Sequence, residues 1–147
     1  MPHRRTCGAL AAVVLTTTMS ACGSSPAAPA PTTPARDSIG GVTNMVPAPG
    51  TTLPAGQTVT FSGTPAYTLA SADLGMVYMS IEDQNDRPLD SSDIQVVTVH
   101  RGDGDATLTH TVTLPAEGIT AVHLYFLLAP AGATSTNTVI RLTYPVR

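Results

Sequence analysis

The chain has 147 residues, a formal net charge of −3 and a composition that is 42% hydrophobic. That length leaves room for one domain of ordinary size. All seven basic side chains are arginines, and they are scattered along the chain. Because a nucleic-acid partner requires clustered cations that replace the counterions of phosphate, the composition argues against DNA or RNA binding.

The first 21 residues have the layout of an export signal. Arg4 and Arg5 provide a positive start, and a mostly apolar or small stretch follows over residues 7–19. This stretch is shorter than the ~20 residues that a membrane-spanning helix needs. We therefore expect residues 1–21 to be a cleaved leader. Its removal would take two of the seven arginines and none of the ten acidic residues, so the net charge would become −5.

The segment Met19-Ser20-Ala21-Cys22 resembles the lipobox of bacterial lipoproteins, in which a large apolar residue and two small residues precede an obligatory cysteine. The resemblance implies that Cys22 receives a diacylglyceryl thioether and palmitate-type acyl chains and holds the protein on a lipid bilayer. Cys7 would leave with the leader, so the exported chain would keep one cysteine and could form no internal disulfide. The alternative is an ordinary secretory signal followed by a chance cysteine.

After the cysteine, residues 22–36 are rich in proline, alanine and threonine, with four prolines and nothing large to bury. Such a composition predicts a disordered, semi-extended tether. At roughly 3 Å per residue it could hold a domain up to about 40 Å from the lipid surface.

Residues 37–147 change character, because apolar and polar positions alternate and turn residues recur about every ten positions. Proline, glycine, serine and aspartate divide this segment at residues 49–50, 54–56, 71–74, 84–92, 102–105, 115–118 and 130–135. Pro65 lies inside the second predicted strand and indicates a bulge or a change of sheet there. The predicted strands are 41–46, 58–62 continuing into 66–70, 75–82, 94–101, 106–114, 120–128 and 137–146.

One side of these strands is apolar, while the alternate positions are mostly threonine, serine, histidine, arginine or small residues. Such one-sided strands need a second sheet to cover them, so we predict an antiparallel β-sandwich of about seven strands. The residues predicted to face the core are Val59, Phe61, Val77, Met79, Ile81, Leu108, Val112, Leu114, Val122, Leu124, Phe126, Leu128, Ile140, Leu142 and Tyr144.

The segment resembles the immunoglobulin-like and fibronectin-type domains that are common on bacterial surfaces. The resemblance covers most of residues 42–146, and it implies an immunoglobulin-like sandwich. The disulfide and buried tryptophan of antibody-type domains are missing, which argues against that branch. The positions that carry the resemblance are Pro47, Pro49-Gly50, Leu53, Gly56, Val59, Phe61, Thr107-Leu108-Thr109, Leu114-Pro115, Leu142, Tyr144 and Val146.

Two groups of charged residues are candidate sites. Arg101-Gly102-Asp103 spells the tripeptide by which some proteins engage integrins, and it falls in a predicted exposed turn, although hairpin turns use the same residues. A run of acidic residues could offer carboxylate oxygens to calcium, but its spacing does not match an EF-hand, and solvated loop charge is the other explanation. The acidic residues are Glu82, Asp83, Asp86, Asp90, Asp93, Asp103 and Asp105.

Three histidines follow the leader, and each falls on a different predicted strand: His100, His110 and His123. A metal or proton-transfer site would need at least two of them to converge with a carboxylate. His110 is in register with Leu108 and Val112, which favours a hydrogen-bonded core or edge residue over a ligand.

The sequence contains no nucleophile elbow, P-loop, dinucleotide fingerprint or isolated pair of acid/base carboxylates. We therefore expect no enzymatic activity, no cofactor and no metal site, with Cys22 as the lipidation site. The expected function is that of a lipid-anchored envelope protein whose domain, on the extracytoplasmic side, contacts a protein partner through residues 82–93 and 101–105. A lipoprotein that binds a small ligand, a glycan or a metal is the alternative, although the lack of tryptophan leaves few flat aromatic surfaces for sugars.

Overall fold

A computed structural model describes residues 36–89, 95–134, 136 and 138–147. Within these ranges the chain is all-β, with antiparallel strands and no helix, as the alternating pattern predicts. There are six strands rather than about seven, because two predicted strands form one continuous strand. The strands are β1 (Ser38–Val46), β2 (Thr58–Asp83), β3 (Gln95–Asp105), β4 (Leu108–Thr113), β5 (Ala121–Pro130) and β6 (Thr138–Pro145).

β2 is 26 residues long and pairs along both of its edges. Its first part pairs with β1 on one edge and with β4 on the other, while its last part pairs with β5 and β3. β6 pairs with the far edge of β5. The sheet therefore curls on itself into a sandwich-like fold. We call β1, β4 and the start of β2 the first layer, and β3, β5, β6 and the end of β2 the second layer.

The core lies between the two layers. The ring of Phe61 in the first layer meets the ring of Tyr144 in the second edge-on, with their centroids 5.3 Å apart. Most of the predicted core positions are confirmed as buried. Val59, Ile140 and Leu142 are only half-buried, because Val59 lies near the start of β2 and the other two lie on an edge strand. The buried apolar residues are Leu53, Phe61, Leu69, Val77, Met79, Ile81, Val99, Ala106, Leu108, Val112, Leu114, Val122, Leu124, Phe126, Leu128, Tyr144 and Val146.

The turn predicted at residues 71–74 is wrong, because β2 continues through it. Leu69 pairs with Gly102 and Leu74 pairs with His100, so four residues of β2 stand opposite one residue of β3. This is a bulge, which bends a strand without reversing it. The turn predicted at residues 102–105 is also wrong, since these residues belong to β3 and pair with β2.

Two side chains hold the bulge in place. The carboxylate of Asp37 accepts hydrogen bonds from the backbone amides of Ala70 at 2.7 Å and Ser71 at 2.9 Å. Arg101 donates from Nη1 to the carbonyl oxygen of Ala70 at 2.6 Å. Backbone groups that lose their ladder partners in the bulge thereby regain partners, and the strand can continue.

A second irregularity lies at Pro65, as the sequence predicts. Around this residue the partner of β2 changes from β4 to β3, and the carbonyl oxygen of Pro65 accepts a hydrogen bond from the Ala106 amide at 3.1 Å. On the other edge, the register of β1 shifts between Ile39 and Val42, which faces Pro65. Proline has no amide hydrogen to donate to a neighbouring strand. It is therefore tolerated inside a strand at an irregular site such as this one, where the regular pairing is interrupted.

Gly63 lies where the two layers pack closely against each other. A Cβ atom added to it would lie 2.8 Å from Cζ of Phe126 and 2.5 Å from Sδ of Met45. We therefore expect Gly63→Ala to lower the free energy of unfolding by about 1 to 3 kcal/mol through overpacking. Urea denaturation of the full chain measures the change. Gly41→Ala is the control, because nothing lies within 4 Å of its added Cβ, and equal midpoints for the two variants would contradict this account of the packing.

Candidate functional site

Several predicted site residues lie outside the described residues. These are Cys22 with its lipobox, and Asp90 and Asp93 of the acidic run. The lipidation site and the outer part of the acidic run therefore stay predictions.

Arg101-Gly102-Asp103 does not form an exposed turn. It lies in the middle of β3, where Gly102 pairs with Leu69 and Asp103 pairs with Thr68. The Arg101 side chain contacts Asp73 at 3.0 Å in addition to the bulge carbonyl, and Asp103 accepts a hydrogen bond from Oγ1 of Thr68 at 2.6 Å. Both charged side chains therefore have partners within the sheet, and the tripeptide is not presented as a loop.

The first part of the acidic run forms a tight hairpin turn at the end of β2. The Asp86 amide donates to the carbonyl oxygen of Asp83 at 3.1 Å, and the Asp83 amide donates to that of Arg87 at 2.8 Å. Asp86 has a φ of 58°, the left-handed conformation that follows a type I turn in three-residue hairpin loops. Hydrogen bonds from the backbone amides of Arg87 and Asn85 lower the pKa of Asp83. In this turn, the Asp83 carboxylate therefore caps the backbone.

The three histidines lie apart in sequence and on separate strands, as predicted. His100 is exposed on β3, and His110 is buried on β4 opposite Phe61. His123 lies on β5 and is only 6% exposed, although the alternation places it on the polar side of its strand. Among the described residues, no three histidine, cysteine, aspartate or glutamate side chains come together as a metal site would require.

His123 is buried because polar side chains cover it, and we call Asp86, His123, Tyr125 and Arg141 the His123 cluster. Nδ1 of His123 lies 2.7 Å from Oδ1 of Asp86, and Nη2 of Arg141 lies 3.0 Å from Nδ1 and 2.6 Å from Nε2 of the same ring. The Tyr125 hydroxyl donates to the same Asp86 oxygen at 2.7 Å. The Arg141 guanidinium carbon lies 5.8 Å from the centroid of the Tyr125 ring, within reach of a cation–π interaction.

Strand pairing and the hairpin assemble this cluster. Tyr125 on β5 pairs directly with Arg141 on β6, and His123 is the next outward position on β5. On the other side, His123 pairs with Glu82 of β2, immediately before the hairpin that carries Asp86. The turn then folds Asp86 back over the end of β5. Three elements are therefore needed to bring the four side chains together.

The cluster perturbs its own acidic groups. Hydrogen bonds from Tyr125 and then His123 lower the pKa of Asp86. Burial, reinforced by the hydrogen bond to Asp86, raises the pKa of Tyr125 to about 12. Both shifts favour an ionised Asp86 carboxylate that accepts hydrogen bonds and a Tyr125 hydroxyl that keeps its proton.

An Asp–His pair can serve as a general base when the second ring nitrogen faces a nucleophile. Here the Nη2 atom of Arg141 lies within 3.0 Å of both ring nitrogens, and a guanidinium can only donate hydrogen bonds. Asp86 and Arg141 therefore occupy the surroundings of both ring nitrogens. The cluster presents the Arg141 guanidinium and the Asp86 carboxylate to solvent, beside the half-buried ring of Tyr125.

Apolar side chains lie next to the cluster on the outer face of the second layer. Met76, Val96 and Val139 are 44%, 48% and 45% exposed. Tyr78 pairs with Val96 on one side and with Leu127 on the other, and Leu127 pairs with Val139, so one apolar row crosses all four strands. A groove of about 410 Å³ lies beside this row.

The outer face of the first layer is chemically different. Threonine and serine hydroxyls on β2 and in the 107–113 segment bond to each other across the strands at 2.8 to 3.2 Å. These polar groups therefore satisfy one another without an external partner. The pairs are Thr58 with Thr113, Thr60 with Thr111, Ser62 with Thr109, and Thr64 with Thr107.

Reasoning from the sequence missed the His123 cluster. The two-residue spacing of His123 and Tyr125 indicates that they share a face of β5. Which residue of β6 lies beside them depends on the register of that pair, and the position of Asp86 depends on the hairpin. Neither can be obtained from alternation alone.

Comparison of the sequence with protein-family models gave no match, and a search of curated proteins gave none either. Across the described residues, no helix has the length and apolar character needed to cross a membrane.

The raised pKa of Tyr125 gives a direct test of the cluster. The difference in ultraviolet absorbance between the full chain and Tyr125→Phe during an alkaline titration should give a midpoint near 12. Asp86→Ala should move it towards the usual value of ~10, since the carboxylate no longer disfavours the phenolate. Because the pKa of Tyr125 is raised in the folded chain, the protonated, buried hydroxyl and its hydrogen bond to Asp86 stabilise the fold below pH ~10. This stabilisation disappears as the pH rises through about 12.

Asp105→Ala is the matched control for that titration, since Asp105 lies on β3 opposite Ala66. It should leave the Tyr125 midpoint unchanged. An unchanged midpoint in Asp86→Ala would show that Asp86 does not hold the phenol.

Proposed function

We propose that the protein is an envelope lipoprotein that contacts a protein partner through the outer face of its second layer. Acyl chains on Cys22 hold it on the membrane, residues 22–36 act as the tether, and the domain of residues 37–147 is an immunoglobulin-like, non-catalytic binding module. The resemblance of Met19-Ser20-Ala21-Cys22 to a lipobox supports the anchor.

The observation that carries the binding role is the composition of that outer face. Met76, Val96 and Val139 are exposed on the same face as Arg141 and Tyr125, and Val139 lies two positions from Arg141 on β6. Methionine, aromatic residues and arginine are the classes enriched at protein interfaces, and tyrosine and arginine are frequent hot spots. Exposed apolar side chains, unlike the self-paired hydroxyls of the first layer, also gain free energy when a partner covers them.

The same face favours a protein over a glycan. Sugar-binding surfaces use open aromatic rings, but Phe61, Phe126 and Tyr144 are fully buried. The Tyr67 ring lies against Gly104, where an added Cβ would come within 2.6 Å of its hydroxyl. Tyr125 lies beside the Arg141 guanidinium. Tyr78, in the groove, is the remaining ring of the described residues, and it is half-buried.

The anchor is tested by Cys22→Ala. We expect the variant to stay unprocessed or to leave the membrane fraction, because two or three acyl chains contribute about 0.8 kcal/mol per buried methylene and the variant has none. Mass spectrometry of the mature N-terminal peptide measures the modification. Cys7→Ala is the matched control and should be acylated normally; an unmodified Cys22 in the wild-type chain would disprove the lipoprotein proposal.

The binding face is tested by site-specific photo-crosslinking of the full chain in its own envelope. A crosslinker at Val139 should capture a defined protein, and Val96→Glu in the same chain should abolish that product because a charge would be buried in the interface. A crosslinker at Thr111, on the outer face of the first layer, is the control and should capture nothing specific. Capture from Thr111 alone, or capture that Val96→Glu leaves unchanged, would contradict the proposal. A stoichiometric metal or sugar on the purified protein would favour the alternative.

A further inference from the structure

β3 forms an open edge of the second layer. Among the described residues it pairs with β2 alone, and residues 95–100 face residues 74–79 without a register shift. An open edge presents unpaired backbone groups that can bind another extended strand, and proteins ordinarily protect it with charge, proline or a bulge. Residues 95–100 read Gln-Val-Val-Thr-Val-His and contain no proline, arginine or carboxylate. This edge is therefore chemically open to a further strand.

The hydrogen bonds of β2 show which of its backbone groups point towards β3. The Leu74 carbonyl oxygen accepts a hydrogen bond from the Ala131 amide, just beyond β5, at 2.8 Å. The Ile81 carbonyl oxygen accepts one from the Leu89 amide at 2.9 Å, on the edge that β5 does not occupy. Backbone groups alternate between the two edges along a strand. From residue 74 to residue 82, the even-numbered residues of β2 therefore bond towards β5 and the odd-numbered residues towards β3.

This alternation fixes the groups that β3 presents at its open edge. Val96, Thr98 and His100 pair with even-numbered residues of β2, which bond towards β5. The N–H and C=O groups of Val96, Thr98 and His100 therefore face the open edge. Val96 is exposed and Val97 is half-buried, whereas Val99 is buried. An added strand would thus gain backbone hydrogen bonds and would also cover apolar surface at Val96 and Val97.

We propose that a second copy of this chain occupies this edge, so that two β3 strands run antiparallel about a twofold axis at Thr98. In this register, Thr98 forms backbone hydrogen bonds with the second copy's Thr98, and Val96 does so with the second copy's His100. The edge-facing groups of all three residues are then used. Such an interface is self-complementary and closes at two copies, because the pairing consumes the open edge of each.

The side chains fit the same register. On the core side, Val97 lies opposite the second copy's Val99, and β-branched side chains pack well across strands. On the outer face, the two Thr98 side chains meet at the axis, and hydroxyl pairs across strands already occur in the first layer at 2.8 Å. At the ends of the segment, Gln95 lies opposite the second copy's Arg101. No like charges therefore oppose each other along the interface.

The other sheet edges are less suited to self-pairing. In β1 the register shifts twice along the strand, which interrupts the row of backbone groups. In β6 the end at Pro145 is bonded to Leu53, and pairing about the middle of the strand would set two Arg141 guanidinium groups opposite each other. The inward side chains of β4 are already buried, so a further strand would add little apolar contact there. Self-pairing of β3 also leaves Val139 and Arg141 open, because β6 forms the opposite edge of the layer.

Disulfide trapping tests the position of the axis. The purified full chain carries Cys7→Ala and Cys22→Ala, so that one introduced cysteine is the sole thiol. Thr98→Cys should oxidise to a covalent dimer, because Cα atoms of a hydrogen-bonded antiparallel pair lie ~5.5 Å apart, within the span of a disulfide. His100→Cys is the matched control on the same face, since its two copies would lie about 13 Å apart along the strands.

The rate of covalent dimer formation, followed by gel electrophoresis at equal protein concentration, decides between the outcomes. Thr98→Cys should oxidise at least about tenfold faster than His100→Cys, because only the first pair falls within disulfide distance. Equal rates for the two variants, or a Thr98→Cys chain that stays monomeric, would overturn the proposal.

Analytical ultracentrifugation of the full chain over rising concentration tests the hydrogen bonds. We expect a monomer–dimer equilibrium without larger species. Thr98→Pro should abolish the dimer and keep the fold, because the amide that it removes bonds nothing in the monomer. If that variant fails to fold, Thr98→Lys tests the same axis, since the Thr98 side chain is exposed and like charges would then oppose each other.

Thr111→Lys is the control for these variants, since Thr111 is exposed on β4 in the first layer. It should leave the dimer intact, and circular dichroism should show the same β-structure in every variant. A wild-type chain that stays monomeric at all concentrations, or dimers that Thr98→Lys does not weaken, would refute the pairing.

Discussion

The fold depends on one strand that belongs to both layers. Leu69 and Gly75 are both buried, and the bulge lies between them on β2. The two positions are six apart in sequence. Since side chains alternate with period two, the inward face of β2 is the same before and after the bulge. The strand can therefore bend, exchange its partners and still present Phe61 and Val77 to one core.

The partner strand meets the same bend differently. Val99 is buried on β3, whereas Ala106 and Leu108 are buried after the bend, so the inward positions change from odd to even. The change occurs around Gly102, whose φ of 114° few side chains can adopt. Arg101 on this segment and Asp37 before β1 then bind the backbone of the bulge. Arg101 of the Arg101-Gly102-Asp103 tripeptide thus stabilises the bend that lets the sheet curl. The tripeptide sequence by itself does not reveal this role.

The alternation of apolar and polar residues was sufficient to predict the strands and most of the core, because the residue types directly indicate which side of a strand is buried. It failed at residues 71–74, because serine, alanine and aspartate suit both a turn and a bulge. The contacts that stabilise the bulge come from distant residues, Asp37 and Arg101. It also failed at His123. A histidine on the polar side of a strand is ordinarily solvated, and its burial here follows from the register that brings Arg141 beside Tyr125 and from a hairpin that returns Asp86.

The two outer faces of the sandwich differ in what a partner could gain from them. Burial of the hydroxyl pairs on the first layer would remove their water while adding no apolar contact, and each pair already has its hydrogen bond. On the second layer, exposed Met76, Val96 and Val139 would each contribute roughly 25 cal/mol for every Å² covered. Arg141, with Nη2 bonded to His123, has guanidinium donors left for a partner's oxygens. Affinity at this face would therefore come from the apolar row, and Arg141, which lies beside the Tyr125 ring, would add hydrogen bonds at its edge.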